Sequence, residues 1–143
     1  IIFKYGEERR SRYIAKKIIA SRPLSTVFDL VEVIRRSTPP KNRTKSLSRI
    51  FQAIRIKVNE EIERLEKFLL SFLARLKVDG RIVIISFHSL EDRLVKHHFR
   101  NISKKGKILI HTKKPITPSY NEIKKNKRSR SAKLRIAEKI IHA

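Results

Sequence analysis

The stretch Arg81-Ile-Val-Ile-Ile-Ser-Phe-His-Ser-Leu-Glu-Asp92 carries a β-branched apolar run directly into a polar turn and a helix start. Arg81 to Phe87 is nearly continuous in apolar residues, the pattern of a strand covered on both faces in a parallel sheet. Ser89 offers a hydroxyl for the N-cap. Asp92, three positions on, sits where a first-turn acid returns a bond and complements the helix dipole. The reading places Ser86, His88 and Ser89 at the carboxyl edge of a sheet, where open α/β folds bind ligands.

Working upstream, Asp79-Gly80 supplies the turn into this strand. Before it, Leu47, Ile50, Phe51, Ile54, Val58, Ile62, Leu65, Leu69, Phe72, Leu73 and Leu76 recur every three or four residues, predicting one long helix from Ser46 to Lys77. Arg49, Gln52 and Arg55 lie beside that stripe, as functional polar groups or as ordinary helix-surface residues. Pro39-Pro40 breaks the chain before it. Further upstream, two amphipathic helices are expected, over Glu7 to Ala20 and from a Ser25 cap to Arg36, forming a helical hairpin. Arg9, Arg12, Lys16 and Lys17 crowd the polar face of the first.

Downstream, Leu90, Leu94, Val95 and Phe99 line one face of a helix ending near Arg100. Ile108-Leu109-Ile110 reads as a short strand, and Ala132, Leu134 and Ile136 alternate with Lys133 and Arg135 as a half-buried strand does. A closing β hairpin is expected from these two. The charged segment Asn121 to Arg130 between them reads as a mobile loop.

Composition narrows the chemistry. The 143-residue chain has no Cys and no Met, so disulfides and thiolate metal sites are excluded, a reducing cytoplasmic setting is expected, and the sequence reads as part of a longer frame. No apolar run reaches the roughly 18 residues of a membrane span. His97 and His98 diverge on a helix while His111 and His142 stand apart, which argues against a zinc site. Thirty-six Lys and Arg against thirteen Asp and Glu leave a formal charge of +23. That excess favours polyanions, nucleic acid above all, through counterion release. Plain decoration of solvated faces by a lysine-rich composition is the competing explanation. From Asn101 onward there are thirteen basic residues against Glu122 and Glu138 alone, so the C-terminal third is the expected contact surface.

Several ordered segments together resemble a known family. They are Tyr5-Gly-Glu-Glu-Arg9, Phe51-Gln-Ala-Ile-Arg-Ile56 with Asn59-Glu60-Glu61, Ile85-Ser-Phe-His-Ser-Leu-Glu-Asp-Arg93, Thr112-Lys-Lys-Pro115, and Arg128-Ser-Arg-Ser-Ala-Lys-Leu-Arg135. In order and spacing they are similar to the bacterial S-adenosylmethionine-dependent methyltransferases that modify the N4 amine of a cytidine in small-subunit (16S) ribosomal RNA. The resemblance implies an α/β fold: the C-terminal half of a Rossmann-like class I methyltransferase domain, residues 43–143, with part of an inserted helical substrate-recognition subdomain, residues 1–42. It covers only the family's second half. The Gly-rich cofactor loop and the acidic ribose-binding residue lie upstream in the family, and Gly6, Gly80 and Gly106 are too dispersed to replace them.

On this resemblance the cofactor is S-adenosylmethionine, held mostly by the missing N-terminal half. The fragment alone is then expected to be inactive, and its partners are small-subunit ribosomal RNA or the 30S particle and that missing half. Ser86, His88 and Ser89 would line the target pocket, with His88 either accepting a proton or hydrogen-bonding the turn. Glu91, Asp92 and Arg93 would order the turn or contact RNA. Phosphate contacts are expected from Lys113, Lys114, Arg128, Arg130, Lys133 and Arg135, with Arg9, Arg12, Lys16 and Lys17 as a second patch. A non-catalytic, ribosome-associated RNA-binding module is the other function class this sequence allows.

Overall fold

A computed structural model describes residues 1–141, which leaves His142 outside the described residues. The chain divides into two compact units, Ile1–Glu61 and the residues from Ile62 onward.

The first unit is helical. It comprises α1 (Ile2–Gly6), α2 (Ser11–Ala20), α3 (Val27–Ser37), a 3₁₀ turn at Pro40–Asn42 and α4 (Arg43–Asn59). The expected hairpin of the first two amphipathic helices is present, since Ile14 of α2 and Ile34 of α3 meet in one core with Ile50 of α4. Two local details differ from expectation. The first long helix starts at Ser11 rather than Glu7, and α3 is capped by Thr26 rather than Ser25. Thr26 Oγ1 accepts from the Asp29 N–H while the Asp29 carboxylate accepts from the Thr26 N–H, a reciprocal box that Ser25 is one residue too early to make. Where α1 meets α4, Gly6 is required by space, because a Cβ there would stand 2.8 Å from the Arg49 carbonyl oxygen.

The single helix predicted over 46–77 is two helices, α4 and α5 (Glu61–Arg75). Glu60 between them is left-handed (φ 52°, ψ 36°), and its N–H closes α4 on the Ile56 carbonyl. The apolar stripe runs unbroken through this stop because its two halves serve different cores. Leu47, Ile50 and Ile54 belong to the helical unit, and Leu65, Leu69, Phe72, Leu73 and Leu76 to the second.

The second unit packs α5 and α6 (Ser89–Lys104) on one face of a three-stranded sheet of β1 (Arg81–Ser86), β2 (Ile108–Ile110) and β3 (Lys133–Lys139), in the order β1-β3-β2. Both pairings are antiparallel, so the expected parallel sheet is not found among the described residues. The expected partnership of the last two strands is present, with Ile110 opposite Ala137. Ile82, Phe72, Val95, Phe99, Ile108 and Ala137 form the core beneath the sheet.

The other face is open, contrary to the expectation that β1 is covered on both sides. Val83 and Ile85 alternate with the buried positions and remain 55% and 53% exposed. Their cross-strand partners are Ile136 and Leu134, and Leu109 of β2 is exposed on the same side. An apolar run records that both faces of a strand want cover; it does not say which part of a protein supplies it. The segment read as a mobile loop is also structured, as α7 (Tyr120–Lys125) and a 3₁₀ turn at Lys127–Ser131. Ser119 and Asn126 side chains accept from the N–H groups of Glu122 and Arg128, so local caps hold a segment with almost no apolar content.

Candidate nucleic-acid interface and the turn after the first strand

β1 ends at Ser86, which is buried opposite Lys133, and the chain then turns into α6. The N-cap of α6 is His88, not Ser89 as predicted. His88 Nδ1 accepts from the Glu91 N–H at 3.3 Å, while the Glu91 carboxylate accepts from the N–H groups of His88 at 3.3 Å and Phe87 at 2.8 Å. This is a capping box built with an imidazole in place of a hydroxyl. With its Nδ1 lone pair engaged, a neutral His88 ring carries its proton on Nε2, which lies 3.5 Å from Glu91 Oε1. His88 and Glu91 thus close the first turn of α6 by reciprocal hydrogen bonds.

Asp92 is the next residue inward, and it leaves the turn to form a longer connection. Arg135 of β3 donates to it from Nε at 2.7 Å and from Nη2 at 3.2 Å, and Lys133 Nζ lies 3.5 Å away. Asp92 and Arg135 are both buried. Burial pushes the Asp92 carboxyl up, but the hydrogen bonds and charge of Arg135, joined by Lys133, outweigh it and hold the group below the usual aspartate value. Arg135 thus spends its charge inside the protein. Lys139, also buried, donates to the Leu73 and Leu76 carbonyls and so completes the C-terminal end of α5. Sequence reasoning missed this role, although a Lys at a core-facing strand position is the available signal.

The helical unit's candidate polar groups are engaged in its own packing. Arg49 lies 3.6 Å from Glu8, Gln52 donates to the Tyr5 carbonyl at 3.3 Å, and Arg55 makes a two-pronged pair with Glu61 at 2.8 and 3.1 Å. Burial pushes Glu8 up, yet the Arg10 N–H, the Ser46 hydroxyl and the Arg49 charge together keep it below the ordinary glutamate value. Arg9, Arg12, Lys16 and Lys17 are exposed on or beside α2, with Lys17 5.6 Å above the Tyr13 ring.

In the sheet unit, Lys113 and Lys114 are exposed just after β2, and Arg128 and Arg130 lie in the 3₁₀ turn before β3. Ser89 and Arg93 are exposed on the first turns of α6. Two cavities lie between α6 and β2, and Ser86, His88 and Ser89 line neither. The ordered turn after β1 and these two basic concavities are therefore separate features of the sheet unit. No helix among the described residues is long and apolar enough to cross a membrane.

Comparison with known proteins identifies relatives over nearly the whole chain. A protein of Trichodesmium erythraeum named "Ribosomal RNA small subunit methyltransferase H" is 55% identical over 143 residues, covering 98% of this chain and 50% of its own length. Proteins of the same name from Trichormus variabilis and Thermosipho africanus are 56% and 51% identical, over 97% and 98% of this chain and 46% and 48% of their own lengths. The chain spans about half the length of the curated relatives it matches, and the matched part is their C-terminal half. The family model of the MraW methylases matches residues 1–140. The chain belongs to the MraW methylase family.

Proposed function

We propose that this chain is the C-terminal half of an S-adenosylmethionine-dependent enzyme that methylates the N4 amine of a cytidine in small-subunit ribosomal RNA. The observation that carries this reading is the similarity of almost the whole chain to half of proteins named as small-subunit ribosomal RNA methyltransferases. The open, apolar face of the sheet and the unpaired outer edge of β1 among the described residues support it. Such a face and edge are what remains of a Rossmann-like sheet when the strands and helices of the other half are absent.

The methyl donor does not fit the residues present. The turn after β1 has no glycine, and the two cavities are lined by cations, which repel a sulfonium. Donor binding therefore belongs to the N-terminal half, and the fragment alone is inactive. What this chain supplies is position. A cytosine amine has its lone pair delocalised into the ring, so reaction depends on holding it in line, and the Ser86 to Ser89 turn is the rigid edge against which the base is held. Ser86, His88 and Ser89 shape that edge, with His88 and Glu91 as positioning residues and Asp92 locked to Arg135. The helical unit recognises RNA through Arg9, Arg12, Lys16 and Lys17. Lys113, Lys114, Arg128, Arg130 and Lys133 hold phosphates of the RNA or of the 30S particle in the cytoplasm.

The test is complementation. The purified chain is mixed with the N-terminal half of the Trichodesmium relative, and labelled methyl transfer to small-subunit RNA is measured. The expected result is transfer with both halves and none with either alone. RNA binding without transfer, under conditions where the two halves form a complex, would overturn the enzyme reading in favour of a non-catalytic RNA-binding module.

A further inference from the structure

Along α6, Lys96, Arg100 and Ser103 recur at helical spacing on the flank turned toward β2, while Val95 and Phe99 face the core. A cavity of about 390 Å³ opens on that flank, lined by Lys96, Arg100, Ser103, Thr112, Lys113 and Arg135 among others. A second, of about 580 Å³, shares Arg100 and Ser103 and continues past His97 and Lys104. No carboxylate lines either one.

The charges here are not balanced as they are elsewhere in the chain. Arg135 is neutralised by Asp92, whereas Lys96, Arg100 and Lys113 make no ion pair among the described residues. Lys104, at the end of α6, has an ordinary explanation as a complement to the helix dipole. The other three do not: Lys96 and Arg100 lie mid-helix and Lys113 follows a strand. Three uncompensated cations around one concavity repel one another and attract an anion. Hydroxyls of Ser103 and Thr112 add neutral donors. Thr112 Oγ1 accepts from the Ile136 N–H at 2.9 Å, and its own proton has only a long, 3.5 Å contact to the Ile136 carbonyl.

We propose that this trough between α6 and β2 seats consecutive phosphates of a single-stranded RNA segment, with Lys96, Arg100 and Lys113 as the phosphate contacts. A single small anion would leave most of either cavity empty, and two cavities joined at Arg100 form a path rather than a cup. Arg100, at the junction, has the planar fork that bridges phosphate oxygens. The identity of the polyanion as RNA rests on the proposed function; the seat itself rests on the geometry. Of these three residues, sequence reasoning had singled out only Lys113.

The experiment is a salt titration with the whole chain and a labelled single-stranded oligoribonucleotide of small-subunit RNA sequence. Removing three phosphate contacts with Lys96→Ala, Arg100→Ala and Lys113→Ala should flatten the slope of log K against log salt by about 2, because each contact on a single strand contributes roughly 0.7. Affinity at 150 mM salt should fall at least about tenfold. Lys124→Ala, Lys125→Ala and Lys127→Ala remove the same charge from the α7 region and should change affinity by less than about threefold.

Equal weakening by the two triple variants would overturn the seat, since binding would then follow total charge alone. Circular dichroism confirms that both triples are folded, and Lys96→Arg with Lys113→Arg should bind within about twofold of the parent. Loss in that charge-preserving variant would also overturn the proposal, as would competition by polyglutamate as effective as by unlabelled RNA. Methyl transfer is read separately in the complemented enzyme. Absent transfer with the binding contrast intact defeats the enzyme reading and leaves the seat standing; normal transfer and normal binding in the trough triple defeat the seat alone.

Discussion

Arg135 and Asp92, 43 residues apart in sequence, are joined by two hydrogen bonds of 2.7 and 3.2 Å that tie β3 to the first turn of α6. Both side chains are buried, so neither can be removed without stranding the other. Asp92 directly follows Glu91, the acid of the His88 capping box, so this connection lies beside the turn after β1.

Arg135→Ala should therefore destabilise the sheet unit by about 3 kcal/mol, the usual consequence of leaving a buried charge unpaired. Replacing both partners, Arg135→Leu with Asp92→Leu, should recover most of that loss. The measurement is hydrogen exchange at β1 and β3 amides. If the single and double variants lose equal protection, the pair is not the link that holds strand to helix. The Asp92 carboxyl is held below its ordinary value of 3.8, so its contribution is full above about pH 4 and is lost as pH falls through the folded-state value.

The turn itself is tested at Glu91 and His88. Glu91→Ala removes the acceptor for the Phe87 and His88 N–H groups and should cost about 1 kcal/mol, with Glu91→Gln costing less because an amide oxygen still closes the box. His88→Asn retains a capping side chain. Methyl transfer by the complemented enzyme should survive that change within severalfold. A collapse of transfer in a stable His88→Asn protein would show that the imidazole moves a proton rather than holding the turn.

His98 gives the sheet unit a second pH dependence, nearer neutrality. It packs edge-on against Phe72 with ring centroids 6.1 Å apart, and burial pushes its pKa down from 6.5, opposed in part by the Leu69 backbone. Folding therefore favours the neutral ring. Stability from this site is thus complete above pH 6.5 and declines as pH falls from there through the lowered folded value, since the unfolded chain takes up the proton first. His98→Phe keeps an aromatic contact and should flatten the stability profile between pH 7 and 5. Identical slopes for parent and variant, measured by urea unfolding at each pH, would show that His98 does not titrate with folding.

Local pattern alone was enough to locate β1, the three residues of β2 and, to within a few residues, α6 and the amphipathic helices of the first unit. Each of these depends on the spacing of apolar residues and on turn chemistry within a few positions. The motifs on which the family resemblance rests are equally local, and the +23 charge is read from composition alone. The tertiary structure decided everything that depends on partners distant in sequence. The stripe from Leu47 to Leu76 is continuous in sequence, yet a left-handed Glu60 divides it between two cores. Arg135 had the composition of a phosphate contact and proved to be an internal counterion, because register places it on the covered face of β3 opposite Ile84. The same register leaves Val83 and Ile85 on the open face. Periodicity reports how a residue is oriented within its own element, while the charge it meets and the surface that covers it are set by chain brought in from far away.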